Sequence, residues 1–386
     1  MTLATDGHAR KFQEGTDVRG VISAASMGNV WPLWEHPSMP QKSNAAKLHH
    51  YVPQGYLRGF ATEHERVTAV PLDRAREPFT TSVKNVAART HFHTVEGLIE
   101  PDEFEKVLSG VEGDAMGIIR RLEEGEFPLP SEDRSALSFY VALQAVRGPD
   151  TRATMEHLQA KIVRVEIGAG GRKNVGRWIK ENLGFVATEE QAQRIWDEGT
   201  QPAGPPITFS NLAHIQHMVK AAEQLSPYIL TRPWSLIRFD RRSLITSDAP
   251  VSLIRHPDDE PWSGVGFGTA WGISFPLTRK LGLLMNDPMV MIEEVDAGDP
   301  QIQTIRAAVI SGKADRVQAG TTAMERLFNE HTADNASEYL YRHPDDEKFV
   351  PGELPEPRLT NMSVNGFTDA DFDGDPWFED SRASSD

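Results

Sequence analysis

Residues 234–254, WSLIRFDRRSLITSDAPVSLI, decide the fold class. They contain three short apolar runs, at 234–239, 243–246 and 251–254, separated by charged and turn-forming residues. Apolar runs of this length between such residues are typical of β-strands. Because the intervening segments are too short for helical crossovers, the sequence predicts mainly antiparallel pairing.

The regions on either side of this stretch add helices before it and strands after it. Residues 102–122 place apolar side chains three and four positions apart, which predicts a helix with one buried face. An order of central helices followed by strands favours an α+β fold, with a central helical segment packed with a mostly antiparallel sheet. The other predicted helices cover 131–147, 211–225 and 300–318, and the other predicted strands cover 273–275, 281–286, 289–293 and 339–341.

The chain has 386 residues, which is longer than one hydrophobic core usually reaches. Residues 1–46 lack periodic apolar patterning and predict an N-terminal arm, which either packs on the body through the aromatic cluster at 31–34 or is a partly disordered leader. We expect residues 47–345 to form the α+β body, as one large or two closely joined domains. Residues 346–386 predict an acidic, disordered tail, since 351–386 hold nine acids against two arginines.

Composition excludes several classes of function. The chain has no cysteine, which rules out disulfides, thiolate metal sites and cysteine nucleophiles and favours the cytoplasm. No apolar run approaches the roughly 20 residues that cross a bilayer, so we expect no membrane partner. The net charge of −16 disfavours extended nucleic acid and favours a small or locally bound substrate.

Four polar blocks stand out along the body. They are HHYVPQGYLRGF at 49–60, Gln144 with Arg147, TSDAPV at 246–251 and FPLT at 275–278. Together they resemble family 4238 of the domains of unknown function, over about residues 47–342. The sequence departs from that family at Gly55, where a bulky aromatic residue is more usual. The resemblance implies no activity.

The paired histidines and one aspartate are the first candidates for chemistry. His49 and His50 precede a predicted short helix, where imidazoles can ligate a metal or accept a proton. Asp248 follows a predicted strand and is suited to be a metal ligand or general base. The structural alternatives are that the histidines cap and pack against the helix, and that Asp248 binds its own backbone in a turn.

Gln144 and Arg147 share one helix face and form a candidate anion clamp. Arg147 could instead pair with Glu105 or Glu112, which are seven residues apart on the preceding helix, and those glutamates could also be metal ligands. Two histidine pairs have ligand-compatible spacing, although packing is the favoured interpretation for both: His91 with His93, and His214 with His217.

The chain has no phosphate-binding loop, dinucleotide fingerprint, nucleophile elbow or metalloprotease helix. The leading hypothesis is therefore a metal-assisted hydrolase, with a phosphodiester as one candidate substrate and a divalent ion as cofactor. The alternative is a noncatalytic sensor or partner-binding protein whose polar blocks are structural. The predicted catalytic residues are His50, Asp248, Arg147 and Gln144, and the predicted metal ligands are His49, His50 and Asp248.

Overall fold

The computed structural model describes residues 48–95, 103–260, 263–293, 295–296, 298–362 and 371–377. The predicted arm at 1–46 lies outside these residues. The chain divides into two compact units: the first holds the described residues of 42–149 and 211–358, and the second holds those of 150–210 and 359–386.

The first unit contains the sheets and most of the described helices, which confirms the predicted α+β fold. The strands are β1 (Leu48–His50), β2 (Arg66–Pro71), β3 (Phe79–Ser82), β4 (Ala88–Thr90), β5 (Trp234–Arg238), β6 (Thr246–Ser247), β7 (Ser252–Ile254), β8 (Gly272–Thr278), β9 (Leu281–Asn286), β10 (Arg316–Ala319) and β11 (Tyr339–Arg342). Its helices are α1 (Gln54–Leu57), α2 (Glu103–Glu124), α3 (Ser131–Val146), α7 (Asn211–Leu230), α8 (Gln301–Ile310) and α9 (Thr322–Asn335), and α4 to α6 belong to the second unit.

Three sheets form among the described residues. Strands β10-β5-β9-β8-β7 make a five-stranded sheet, β3-β2-β11-β6 make a four-stranded sheet, and β1 pairs with β4. Every pairing is antiparallel except that of β10 with β5. The sheets are therefore mostly antiparallel, as predicted, but β5, β6 and β7 pair with strands outside 234–254 and not with one another.

The core of the first unit lies where α3 packs against α7 and where the sheets meet α1. The Tyr56 hydroxyl, in α1, donates to the Pro276 carbonyl in β8 at 2.6 Å and lies 2.8 Å from the Thr246 hydroxyl in β6. Its ring stacks on Phe275 with a centroid separation of 5.2 Å. Three of the four polar blocks therefore meet at one buried tyrosine.

The second unit is helical in its described residues. Its helices are α4 (Pro149–Gly170, whose first residue belongs to the other unit), α5 (Val175–Leu183) and α6 (Glu189–Gly199). They enclose a small core of their own, formed by Val163, Ile167, Val175, Ile179 and Ala192.

Two predicted elements are wrong in part. The helix predicted over 300–318 ends at Ile310, because Gly312 adopts a φ of +73°, and residues 316–319 then form the parallel strand β10. The strand predicted at 289–293 is instead a 3₁₀ turn, Pro288–Met291. Helix α9 was not predicted, although Thr321 caps its N-terminus and Phe328 and Ala333 are buried.

The C-terminal region makes ordered contacts in its described parts. Asp346 and Phe349 are buried in a 3₁₀ helix, Pro344–Phe349, although the sequence predicts a disordered tail from residue 346. Residues 371–377 lie against α4, within the second unit. Among the described residues, no helix has the length and apolar content needed to cross a membrane.

Candidate metal centre

Strand β1 buries one of the two adjacent histidines and leaves the other partly exposed. His49 pairs with Arg89 across the β1–β4 ladder and is 1% exposed. Neighbouring strand residues point to opposite faces, so His50 lies on the other side of the strand. Both histidines belong to a strand, and helix α1 begins four residues after His50, at Gln54.

The turn after β4 brings a second histidine to His49. The backbone N–H of His93 donates to His49 Nδ1 at 2.8 Å, and the two rings stack with centroids 5.9 Å apart. His91 begins this turn with a φ of +54°. The side-chain amide of Asn211 holds the turn by donating to the carbonyl oxygens of His91 and Thr94.

Glu105, in the first turn of α2, completes the group. Its Oε1 accepts a short hydrogen bond from His93 Nδ1 and lies 3.6 Å from His49 Nδ1. One donor atom from each of His49, His93 and Glu105 lies within 4.8 Å of the others. The histidines are buried and the Glu105 side chain is 27% exposed, so the carboxylate is the part of the group that reaches solvent.

The Glu105 carboxyl group is held in its charged form. Burial acts to raise its pKa, but the hydrogen bond from His93 and the charges of His93, His49 and Arg147 outweigh burial and lower the pKa. Metal ligands must be deprotonated carboxylates and neutral imidazoles. Two histidines and one glutamate are also the ligand set of one class of catalytic zinc sites. The group could therefore hold a metal ion.

Arg147 lies beside this group and is 2% exposed. Its Nη1 donates to Glu112 Oε1 at 2.8 Å, and its Nη2 donates to the His50 carbonyl at 2.8 Å. Of the alternatives that the sequence left open, the structure contains the Arg147–Glu112 pair. Arg147 therefore ties β1 to α2, and its terminal nitrogens are engaged within the protein.

Gln144 and Tyr140 precede Arg147 on α3 and are also buried, at 3% and 0% exposure. Within the described part of the chain, neither the Gln144 amide nor the Tyr140 hydroxyl has a hydrogen-bond partner. Burial raises the pKa of Tyr140 far above its ordinary value, so its hydroxyl remains protonated. Buried polar groups are usually paired, so these two groups on α3 are exceptions to that rule.

Asp248 serves a separate part of the fold. Its Oδ1 accepts from the Ser337 backbone N–H at 2.8 Å, and its Oδ2 accepts from those of Glu338 and Tyr339 at 2.7 and 3.0 Å. These bonds fix the start of β11 against the end of β6. The ligand set His49, His50 and Asp248 is thus not the group that the structure assembles: His49 meets His93 and Glu105 instead.

The model of the family described as "Protein of unknown function (DUF4238)" matches residues 48–346, which is more than three quarters of the chain. The chain belongs to the DUF4238 family. No curated protein and no solved structure matches it.

The whole His49–His93–Glu105 group lies inside the DUF4238 match, as do Gln144, Arg147 and Asp248. Sequence reasoning identified His49 but did not join it to the other two residues. Each had a separate signal, since His93 alternates with His91 and Glu105 shares a helix face with Glu112. The sequence contains no local pattern that indicates contact between residues 49, 93 and 105.

The buried histidines of this DUF4238 chain predict acid sensitivity. Burial lowers the pKa values of His50, His331 and His343 from 6.5. The unfolded chain then binds protons more readily, so their contribution to stability is complete above pH 6.5 and is lost as the pH falls through the lowered pKa values. We expect the urea midpoint to fall progressively below pH 6.5.

Urea unfolding should be followed at several pH values below and above 6.5, with a chelator present so that bound metal does not contribute. His331→Gln should reduce the pH dependence, whereas His64→Gln, whose side chain is 81% exposed, should leave it unchanged. A midpoint that is constant below pH 6.5 would contradict the prediction.

Proposed function

We propose that this chain is a metal-dependent hydrolase centred on His49, His93 and Glu105. The observation that carries the proposal is the convergence of their donor atoms within 4.8 Å. These residues come from β1, the turn after β4 and the first turn of α2. Each of these three segments thus contributes one candidate ligand to the same place in the fold.

The ligand set suits hydrolysis. Three protein ligands leave a coordination position for water, and a bound divalent ion lowers the pKa of that water enough to supply hydroxide near neutral pH. His93 and Glu105 would exchange their shared proton for the ion. Metal affinity should therefore fall as the pH falls. The exposed edge of Glu105 supports access of solvent and substrate from that side.

Neighbouring residues have supporting roles in the proposal. Arg147 is a positioning residue, because its bonds to Glu112 and to the His50 carbonyl hold β1 beside α2. Its positive charge also acts on Glu105. A small phosphodiester is the substrate class that we propose. Gln144 and Tyr140 would supply polar contacts to it.

The hydrolysis of bis(4-nitrophenyl) phosphate tests this function. Metal-stripped protein should be inactive and should gain activity on addition of Zn²⁺ or Mn²⁺. Glu105→Gln and His93→Asn should lower the metal-dependent rate by at least about 100-fold, because loss of a ligand costs more than loss of a residue that merely orients one.

Two residues outside the centre provide matched controls. Glu103→Gln changes a glutamate two positions from Glu105, and His64→Ala changes a histidine whose side chain is 81% exposed. Both variants should keep the wild-type rate. Equal rates for the wild type and Glu105→Gln, with metal bound to the wild type, would refute hydrolysis at this centre.

A noncatalytic protein is the second candidate, and the other polar residues favour it. Asn329 binds the backbone of Ser243, Ile245 and Phe349, and Asp248 binds three backbone N–H groups. In this alternative the ion would stabilise the fold of a sensor or partner-binding protein. Metal binding that raises the melting temperature without any turnover of the phosphodiester would favour it.

A further inference from the structure

The C-terminal turn of α4 forms a surface that contacts the aromatic ring of Phe372. The sequence there is Gly168-Ala169-Gly170-Gly171, and residues 371–377, DFDGDPW, lie on it. We name residues 371–377 the acidic segment. This surface and the acidic segment belong to the second unit, whereas the residues of the metal centre belong to the first.

Two glycines leave the space that the acidic segment fills. A Cβ at Gly168 would overlap the ring of Phe372, and one at Gly171 would lie 2.6 Å from the Pro376 nitrogen. Gly171 also has a φ of +76°, which favours glycine in any case. Gly168 lies within a helix, where glycine is unfavourable, so contact with the ring is the feature that explains it.

The backbone of the acidic segment completes the end of the helix. The last four carbonyls of a helix have no partner within it. Gly171 N–H donates to the Gly168 carbonyl, and Trp377 N–H donates to the Ala169 carbonyl at 2.9 Å. In the other direction, Arg172 N–H donates to the Gly374 carbonyl at 2.8 Å.

Arg164 and Trp377 also contact the Phe372 ring. The Arg164 guanidinium, which is buried, lies 4.8 Å from the Phe372 ring centroid, within the range of a cation–π interaction. The Trp377 ring lies 4.9 Å from Phe372 and remains 40% exposed. The aspartates at 371, 373 and 375 are exposed.

We propose that the end of α4 is a recognition site for a short acidic aromatic peptide, and that the acidic segment is its resident ligand. Recognition combines the slot at Gly168, the cation–π contact of Arg164 and the Ala169 carbonyl, which accepts the Trp377 N–H. A separate peptide of the same chemistry competes for the site. The proposal is independent of the hydrolase function.

Fluorescence anisotropy of a labelled peptide, DADFDGDPWFE (residues 369–379), tests the proposal on full-length protein. The variant Phe372→Ala/Trp377→Ala, whose own segment is weakened, should bind the peptide saturably. The wild type should bind it at least tenfold more weakly, because the resident segment competes. A peptide with alanine in place of Phe372 should not bind.

A pair of glycine variants distinguishes the slot from other surfaces. Gly168→Ala, added to the double variant, should weaken peptide binding at least tenfold, since any Cβ overlaps the ring. Gly176→Ala, at a helix position in α5 with open space around it, should have no effect. Absence of saturable binding, equal binding by the wild type, or unchanged binding by Gly168→Ala would each overturn the proposal.

Discussion

Replacing Asp315 by asparagine is expected to lower the free energy of unfolding of the first unit by about 3–5 kcal/mol. The side chains of Asp315 and Arg134 form an ion pair, and neither has any exposed surface. Asp315 Oδ1 also accepts the Trp234 backbone N–H at 2.9 Å. Asp315→Asn leaves the charge of Arg134 buried without its counterion.

The ion pair itself is costly to bury. Burial raises the pKa of Asp315 and lowers that of Arg134, so desolvation outweighs their mutual attraction for both groups. A double variant, Arg134→Met/Asp315→Leu, should therefore be more stable than Asp315→Asn. The guanidinium also stacks 4.0 Å over the Trp234 ring, a packing contact that methionine can replace in part.

Urea unfolding followed by tryptophan fluorescence measures these differences. The control is Glu65→Gln, which breaks the exposed Arg58–Glu65 pair and should change stability by less than about 1 kcal/mol. A loss below about 1 kcal/mol for Asp315→Asn would contradict the interpretation of the buried pair.

Asp248→Ala is expected to destabilise the first unit by about 3 kcal/mol, because three backbone N–H groups lose a charged acceptor. The control is Asp287→Ala, at an exposed cap where the carboxylate accepts a single N–H from Met289. That variant should cost about 1 kcal/mol or less. The same variant of Asp248 should retain metal binding, which separates its structural role from the predicted catalytic one.

An Asp248→Ala protein that keeps full stability but no longer binds the ion would reverse this assignment. Stability should be read from urea unfolding, and metal content from the same samples. The two measurements then assign Asp248 either to the fold or to the metal centre.

Local patterns predicted much of the fold. The helix at 102–122 and the strands at 234–239 and 251–254 were predicted, because apolar spacing and turn residues act over a few positions. The strand predicted at 243–246 is shifted to Thr246–Ser247. The parallel strand β10 was missed because the apolar pattern continues past Gly312, whose positive φ ends the helix. Its pairing with β5 depends on residues about 80 positions away.

The candidate site was predicted less well, for the same reason. The sequence marks His49 by its neighbour His50, yet its partners in the structure are 44 and 56 residues away. The sequence offered binding of backbone by the Asp248 carboxylate as an alternative, and this is what the structure contains. The N–H groups that it binds belong to residues 337–339 and not to its own turn. The type of a residue indicates the chemistry that it can perform, whereas the residues that it contacts depend on the tertiary fold.

Calorimetric titration of the metal-stripped chain with Zn²⁺ tests the central claim most directly. We expect one ion per chain, with affinity reduced at least about 100-fold in Glu105→Gln and His93→Asn. His50→Ala and Asp248→Ala should retain the site. Absence of binding by the wild type, or equal binding by Glu105→Gln, would contradict the assignment of the centre to His49, His93 and Glu105.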